Sequence, residues 1–373
     1  MKKIALFALL AVITNIASAF DYKFNLEGRA DFINASIKTT TVAATPVVTT
    51  EKFNNFANSL IRLNMVATVN ENLLFRFRYR FIKTPSNPQS SSGSAGTREN
   101  ADTGTDYLFV EHRNSMFTTR FGKQNWVEAY GRESIVSGTD VFLLSEAGAQ
   151  YKTLFGSDFR YGITAMFKHL ENRLSLAVSN PNSTFTDSSG AAANPERKNT
   201  GLALGAYYTG SFLGKAFQPL FAYSVAQQNG DTDAAVKTKD GNNSMWNAGF
   251  RSEVSAFVMD LDYKMAKKAN RNDVGTTNIV EEKTKSIYAN LAYTIAEFTP
   301  MFIFINDKFD SETATANFKR NSFAVGTYWK PFADVNFRYH AMFTSAQKKA
   351  DGTTSTVSKV DDKKMYFGFK ADI

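Results

Sequence analysis

Apolar and polar residues alternate one by one along most of this chain. Near its start Tyr22, Phe24, Leu26, Gly28, Ala30 and Phe32 take the even positions, while Lys23, Asn25, Glu27, Arg29 and Asp31 take the odd ones. Successive side chains of a strand point to opposite faces, so one face is apolar and the other carries charges of both signs. The next unit fixes its own register. With Asn70-Glu71-Asn72 as the turn, Leu63 faces Tyr79, Met65 faces Phe77 and Ala67 faces Phe75, while Arg62 opposes Arg80 and Asn64 opposes Arg78. A slip of one residue would scramble both faces.

The pattern continues to the C-terminus. Apolar stripes pair in sequence through Tyr161–Phe167 with Leu174–Val178, then Leu202–Tyr208 with Phe221–Val225. Trp246–Phe250 follows with Phe257–Met265, then Ile287–Ile295 with Phe298–Phe304, Phe323–Trp329 with Val335–Phe343, and finally Met365–Ile373. Short connections fall near 70–72, 113–116, 170–173, 210–216, 255–256, 296–297 and 331–333. Long polar connections cover roughly 38–52, 83–105, 124–157, 180–199, 228–243, 266–284, 307–319 and 346–362. Seven short and eight long connections join sixteen strands.

Composition narrows what such a chain can be. With 373 residues and no cysteine, a disulfide scaffold, a thiolate metal site and a cysteine nucleophile are excluded. A mean hydropathy of −0.28 is too polar for a bundle of membrane helices. Yet 33 Phe, 15 Tyr and 3 Trp stand beside only 8 Pro, as expected where apolar side chains sit singly between polar ones. The N-terminus reads as a secretory leader: Lys2 and Lys3, a largely apolar run from Ile4 to Ile13, then Ala17-Ser18-Ala19. Cleavage after residue 19 leaves a single domain over 20–373, and losing the two leader lysines takes the formal charge from +8 to +6.

A soluble sandwich alternates too, with its apolar face turned inward. Two features favour a transmembrane antiparallel β-barrel instead. Connections are short on one edge and long on the other, as periplasmic turns and outer loops are in outer-membrane barrels. The polar face carries several charges in a row, which suits water in a lumen. Strands in lipid must close on themselves, and a ring of sixteen leaves an aqueous channel.

No catalytic constellation emerges. His112, His169 and His340 fall on three separate strands, and His340 reads as a wall residue beside Arg338. There is no phosphate-binding glycine loop, no HExxH and no aspartate-rich calcium loop. Basic residues are dispersed rather than gathered into a patch for nucleic acid. The chemistry lies in the charged wall: Arg76, Arg78 and Arg80 point one way, ~7 Å apart, with Arg62 beside Arg80. Like charges so placed call for hydration or opposing carboxylates. The segment 124–157 carries Glu128, Glu133, Asp140 and Glu146, and its Val141-Phe142-Leu143-Leu144 is out of place in water. Such a loop makes sense folded into the barrel against its inner wall.

The stretch from Ser59-Leu60-Ile61-Arg62-Leu63 through the arginine hairpin to Phe121-Gly122-Lys123-Gln124 and Gly138-Thr139-Asp140 resembles the general diffusion porins of Gram-negative bacteria. The resemblance implies a third loop that folds inward and presents acidic residues to a basic ladder. It places Arg62 and Lys123 on the basic side and Asp140 on the loop, with Glu146 a looser match, and it implies a homotrimer. Two departures stand out: the family's Pro-Glu-Phe-Gly-Gly loop stretch is replaced by Phe142-Leu143-Leu144-Ser145-Glu146-Ala147-Gly148, and the chain ends in Ile373 rather than an aromatic residue.

The expectation is therefore a passive, water-filled channel for small hydrophilic solutes and ions, seated in outer-membrane lipid and needing no cofactor. A substrate-specific channel for anions or oligosaccharides is the runner-up; Tyr288, Tyr328 and Tyr366 lie on the polar face, but singly on separate strands. A surface barrel serving as adhesin or phage receptor is a third reading, and an outer-membrane lipase the least supported.

Overall fold

The computed structural model describes residues 21–41, 45–83, 104–133, 142–155, 159–180, 202–228, 241–271, 279–311, 317–351 and 357–373. The leader and the Ser/Gly-rich and Thr-rich runs at 90–94 and 352–356 lie outside these. Sixteen strands follow in order: β1 (Asp21–Thr41), β2 (Val48–Asn70), β3 (Leu73–Lys83), β4 (Gly104–Arg113), β5 (Phe117–Asn125), β6 (Phe159–His169), β7 (Asn172–Ser179) and β8 (Ala203–Thr209). The second half is β9 (Gln218–Gln228), β10 (Gly241–Val254), β11 (Phe257–Arg271), β12 (Ile279–Tyr293), β13 (Phe298–Ser311), β14 (Phe318–Trp329), β15 (Asn336–Ala350) and β16 (Val357–Asp372). Between β5 and β6 lie a 3-10 turn (Val127–Tyr130) and one helix, α1 (Glu146–Phe155).

Every strand pairs antiparallel with its sequence neighbours, and β1 pairs with β16, so the sheet is a closed barrel without an edge. The arginine hairpin has the expected register, with Leu63 opposite Tyr79, Met65 opposite Phe77 and Arg62 opposite Arg80. Tight turns at Ser255 and Ala296 hold these non-glycine residues at φ 54° and 51°. Each left-handed residue costs about 1 kcal/mol, a strain the flanking hairpin ladders outweigh.

The polar segments are shorter loops than their composition implied. β1 runs on to Thr41 and β2 begins at Val48, inside the segment 38–52. Likewise β11 continues to Arg271, β13 to Ser311 and β15 to Ala350. Polar side chains leave the backbone ladder intact, so the strands extend past the apolar band.

That band covers the outward face: Phe221, Leu261, Ile287, Phe302, Phe323, Val325 and Phe367 are all exposed. Aromatic rings gather at its short-turn rim, where Phe298 stacks on Trp329 at 6.1 Å and Trp329 on Tyr339 at 5.3 Å. An apolar exterior edged by aromatics is the surface of a lipid-facing barrel. Among the described residues no helix is long and apolar enough to cross a membrane; the strands are the candidates for crossing.

Candidate functional site: an arginine ladder facing an inward loop

The alternate face of the strands is largely buried and mixes charged and polar side chains with apolar ones such as Ile303, Ile305 and Met342. On β2 and β3 it carries Arg62, Arg76, Arg78 and Arg80, each on the face opposite Met65, Phe77 and Tyr79. Arg62 and Arg80 sit directly across from each other, an arrangement that repels. The counter-charge is Asp106 on β4, fully buried, with ion-pair distances of 3.1 Å to Arg62, 3.3 Å to Arg78 and 3.5 Å to Arg80. Glu27 on β1 adds a second carboxylate, 3.5 Å from Arg62 and 3.3 Å from Lys370 on β16. Tyr107 lies under the guanidiniums of Arg78 and Arg76, at 4.0 and 4.5 Å. Arg76 also donates to Asn64 at 3.0 Å.

Asp106 was not singled out from the sequence, and its strand explains why. Two residues along, Leu108 and Val110 face outward, so alternation places Asp106 outward as well. A bulge between the Arg78–Tyr107 and Tyr79–Thr105 pairs inserts one residue and turns Asp106 inward.

Lys123 requires the opposite correction. It pairs with Leu108 and Tyr161, two residues from the exposed Phe121, and its ammonium lies 6.0 Å from the Tyr161 ring. Tyr161 and Leu108 are exposed, so Lys123 shares the outward face and is not part of the ladder. The inward basic residue of that strand is Arg120, ion-paired with the buried Glu111. The family-like motif located the strand, and its own parity with Phe121 decides the face.

The loop between β5 and β6 touches the same inner face on widely separated strands. Asn247 of β10 donates to the Ala129 carbonyl at 2.8 Å. Asp262 of β11 accepts from the Arg132 backbone N–H. Gly131 (φ 69°) is required there, because a Cβ would meet the Asp262 carboxylate. Phe142 contacts Tyr366, His340 and Tyr328 at ring distances of 5.4, 5.0 and 6.4 Å, with Arg29 of β1 over its face at 5.0 Å. Tyr288, Tyr328 and Tyr366, the candidates for a saccharide path, instead join Phe142 in one buried apolar cluster. At the N-terminus of α1, the Glu146 and Ala147 N–H groups donate to Asp307 (3.0 Å) and Ser286 (3.1 Å). A wall carboxylate there complements the helix dipole. Asn243 closes the helix's other end on the Leu154 carbonyl at 3.0 Å. Touching that face on several sides, residues 126–133 and 142–155 of the loop lie against the inner wall.

Its carboxylates are committed to that wall. Glu133 pairs with Lys264 of β11 at 2.8 Å, and Glu146 with Arg320 of β14 at 3.0 Å. Glu128 pairs with Arg173 of β7. These three ion pairs are with wall residues outside the ladder, and Asp140 lies outside the described residues. In a sixteen-strand ring β3 and β11 stand opposite, so helix α1 lies on the wall across from the ladder.

His340 is a wall residue, its Nε2 2.8 Å from Asp31, which Arg29 also engages. His112 and His169 are on β4 and β6, away from it. Among the described residues no group of three or more His, Asp or Glu is placed to hold a metal ion.

The fold is that of the outer-membrane porins. The trimer form of OmpT, an outer membrane protein of Vibrio cholerae, superposes with a TM-score of 0.61 at 13% identity, over 95% of this chain and 100% of that one. OmpF of Salmonella typhi, solved with daunomycin, gives 0.61 at 12%, over 96% and 99%. An anion-selective porin from Comamonas acidovorans gives 0.58 at 10%, over 95% and 100%. No protein-family description and no curated protein matches the sequence.

Proposed function

We propose that this protein is an outer-membrane porin, a water-filled channel for passive diffusion of small hydrophilic solutes and ions. The observation that carries the reading is the pairing of an apolar exterior with an arginine ladder that faces an inward loop across the ring. In this reading residues 1–19 are a cleaved leader, the barrel is set in the outer membrane of a Gram-negative cell, and three copies assemble. The channel needs no catalytic centre and no cofactor.

Selectivity follows from the wall. Among the described residues Arg62, Arg76, Arg78 and Arg80 outnumber Asp106 and Glu27, the carboxylates seen paired with them, and form a patch of net positive charge. Charges beside a narrow passage outweigh the charge of the whole protein. The loop's Glu128, Glu133 and Glu146 are largely spent on wall cations, so the balance favours anions; Asp140 contributes if it reaches the lumen. The reading is therefore an anion-preferring channel rather than a neutral sieve.

Planar-bilayer recording of the purified protein tests the reading. Stepwise conductance and an anion-leaning reversal potential in a salt gradient are expected. Deleting 134–146 should raise the conductance of the folded barrel. Absence of steps would reject a channel, and unchanged conductance after the deletion would reject the loop as its constriction.

A further inference from the structure

The strand register places five lysines in one unbroken row. Lys285 of β12 is opposite Lys308 of β13, Lys308 opposite Lys319 of β14, Lys319 opposite Lys349 of β15, and Lys349 opposite Lys359 of β16. All five share the outward parity of Phe304 and Phe323, and all lie at the long-connection end. Like charges directly across a ladder destabilise it, and here the conflict repeats at four successive pairings. Carboxylates relieve it only in part. Asp310 is 2.9 Å from Lys308, Asp351 2.9 Å from Lys319 and Asp361 2.8 Å from Lys359. Among the described residues no carboxylate forms an ion pair with Lys285 or Lys349, which are both exposed.

The row's height gives its meaning. Lys308 lies four positions beyond Phe304, with Asn306 between. At ~3.3 Å per residue and a tilt of ~45°, that is about 9 Å above the apolar band. Phosphates of lipid headgroups lie at that depth, and lysine stems reach them while their methylenes cover apolar surface. We propose that the outward face of β12–β16 is a binding surface for lipids with phosphorylated, anionic headgroups, phosphates on the lysine row and acyl chains on the phenylalanines below. The inference rests on the porin reading, since it needs this face in lipid. A second copy is a poor occupant, because lysine is depleted from protein interfaces. A free anion would leave the phenylalanines without a role.

The test uses the folded full-length barrel in nonionic detergent, titrated with dimyristoyl phosphatidic acid and, separately, dimyristoyl phosphatidylcholine, with retained lipid read by native mass spectrometry. Wild type should favour phosphatidic acid, and added salt should weaken it. Replacing all five lysines with Gln should lower that affinity about 20-fold, taking roughly fivefold for each uncompensated lysine. Five Lys→Arg replacements should retain it. Lys215→Gln with Lys330→Gln, at the short-turn end, should leave it unchanged. Equal retention by wild type and the Gln variant overturns the proposal, as does equal binding of glycerol 3-phosphate, which would mean a free-anion site. If the fivefold variant does not fold, Lys285→Gln with Lys349→Gln decides, with most of the loss expected. Conductance of the same samples separates the hypotheses: channels without lipid preference sink only this inference, and lipid preference without channels sinks the porin reading.

Discussion

Asp106→Asn removes one charge from the centre of the ladder with almost no change of shape. The carboxylate is fully buried between Arg62, Arg78 and Arg80, at 3.1, 3.3 and 3.5 Å. Its loss removes the carboxylate that Arg62, Arg78 and Arg80 share and leaves Glu27 beside Arg62. For an ion passing at about 7 Å in water, one unit charge is worth about 0.6 kcal/mol. A Debye length of ~10 Å at 0.1 M salt halves that, to about 0.3 kcal/mol. Anions gain this amount and cations lose it, so the anion-to-cation permeability ratio should rise about threefold. At 1 M salt, where the Debye length is ~3 Å, the change should fall to about 1.2-fold. Reversal potentials across a planar bilayer, taken under dilute and concentrated gradients, measure both. The variant should also lose its folded, heat-modifiable gel band at a lower temperature, since unpairing a buried ion costs up to ~3–5 kcal/mol. An unchanged ratio, a shift toward cations, or a shift indifferent to salt would refute the placement of the ladder at the constriction.

Phe142→Ala should release the loop from its cluster of Tyr328, His340 and Tyr366, at a cost of about 3 kcal/mol, and appear as larger, noisier conductance; a channel identical to wild type would show that this contact does not hold the loop. Single cysteines in this cysteine-free chain should label with a charged thiol reagent at 78 and stay protected at 77 in membranes, and the reverse pattern would invert the barrel's faces. Phe77→Arg should destabilise by ~2–4 kcal/mol if near the midplane, in urea titrations of the reconstituted barrel, whereas Arg78→Lys should cost far less. Gly249→Ala would push a methyl into the Asp262 carboxylate and the Leu261 carbonyl, while Gly28→Ala meets nothing within 4 Å; unfolding free energy from urea titration should fall for the first alone, by about 1–3 kcal/mol.

The barrel was legible in the chain's alternation. Alternation is local, and a strand's two faces are written into consecutive residues, so Phe77 and Arg78 could be sorted without coordinates. The hairpin register followed because only one pairing keeps both faces intact. The same parity bears on Lys123, which shares a face with Phe121; the family-like motif pointed the other way.

Strand ends were less legible, because hydrogen bonding along the ladder does not depend on side-chain polarity, and β11, β13 and β15 run on through residues that read as loop. The counter-charge of the ladder emerged with strand pairing. Asp106 owes its inward aim to one extra residue opposite Arg78, and a bulge leaves no mark in the alternation of its own strand until the partner register is known. The attachments of Glu133, Glu146 and Phe142, to β11, β14 and the β14–β16 wall, are set by ring closure, which brings together residues more than a hundred positions apart. The lysine row on β12–β16 has the same origin. Each lysine is an ordinary strand-end residue in the sequence, and four consecutive registers make them neighbours.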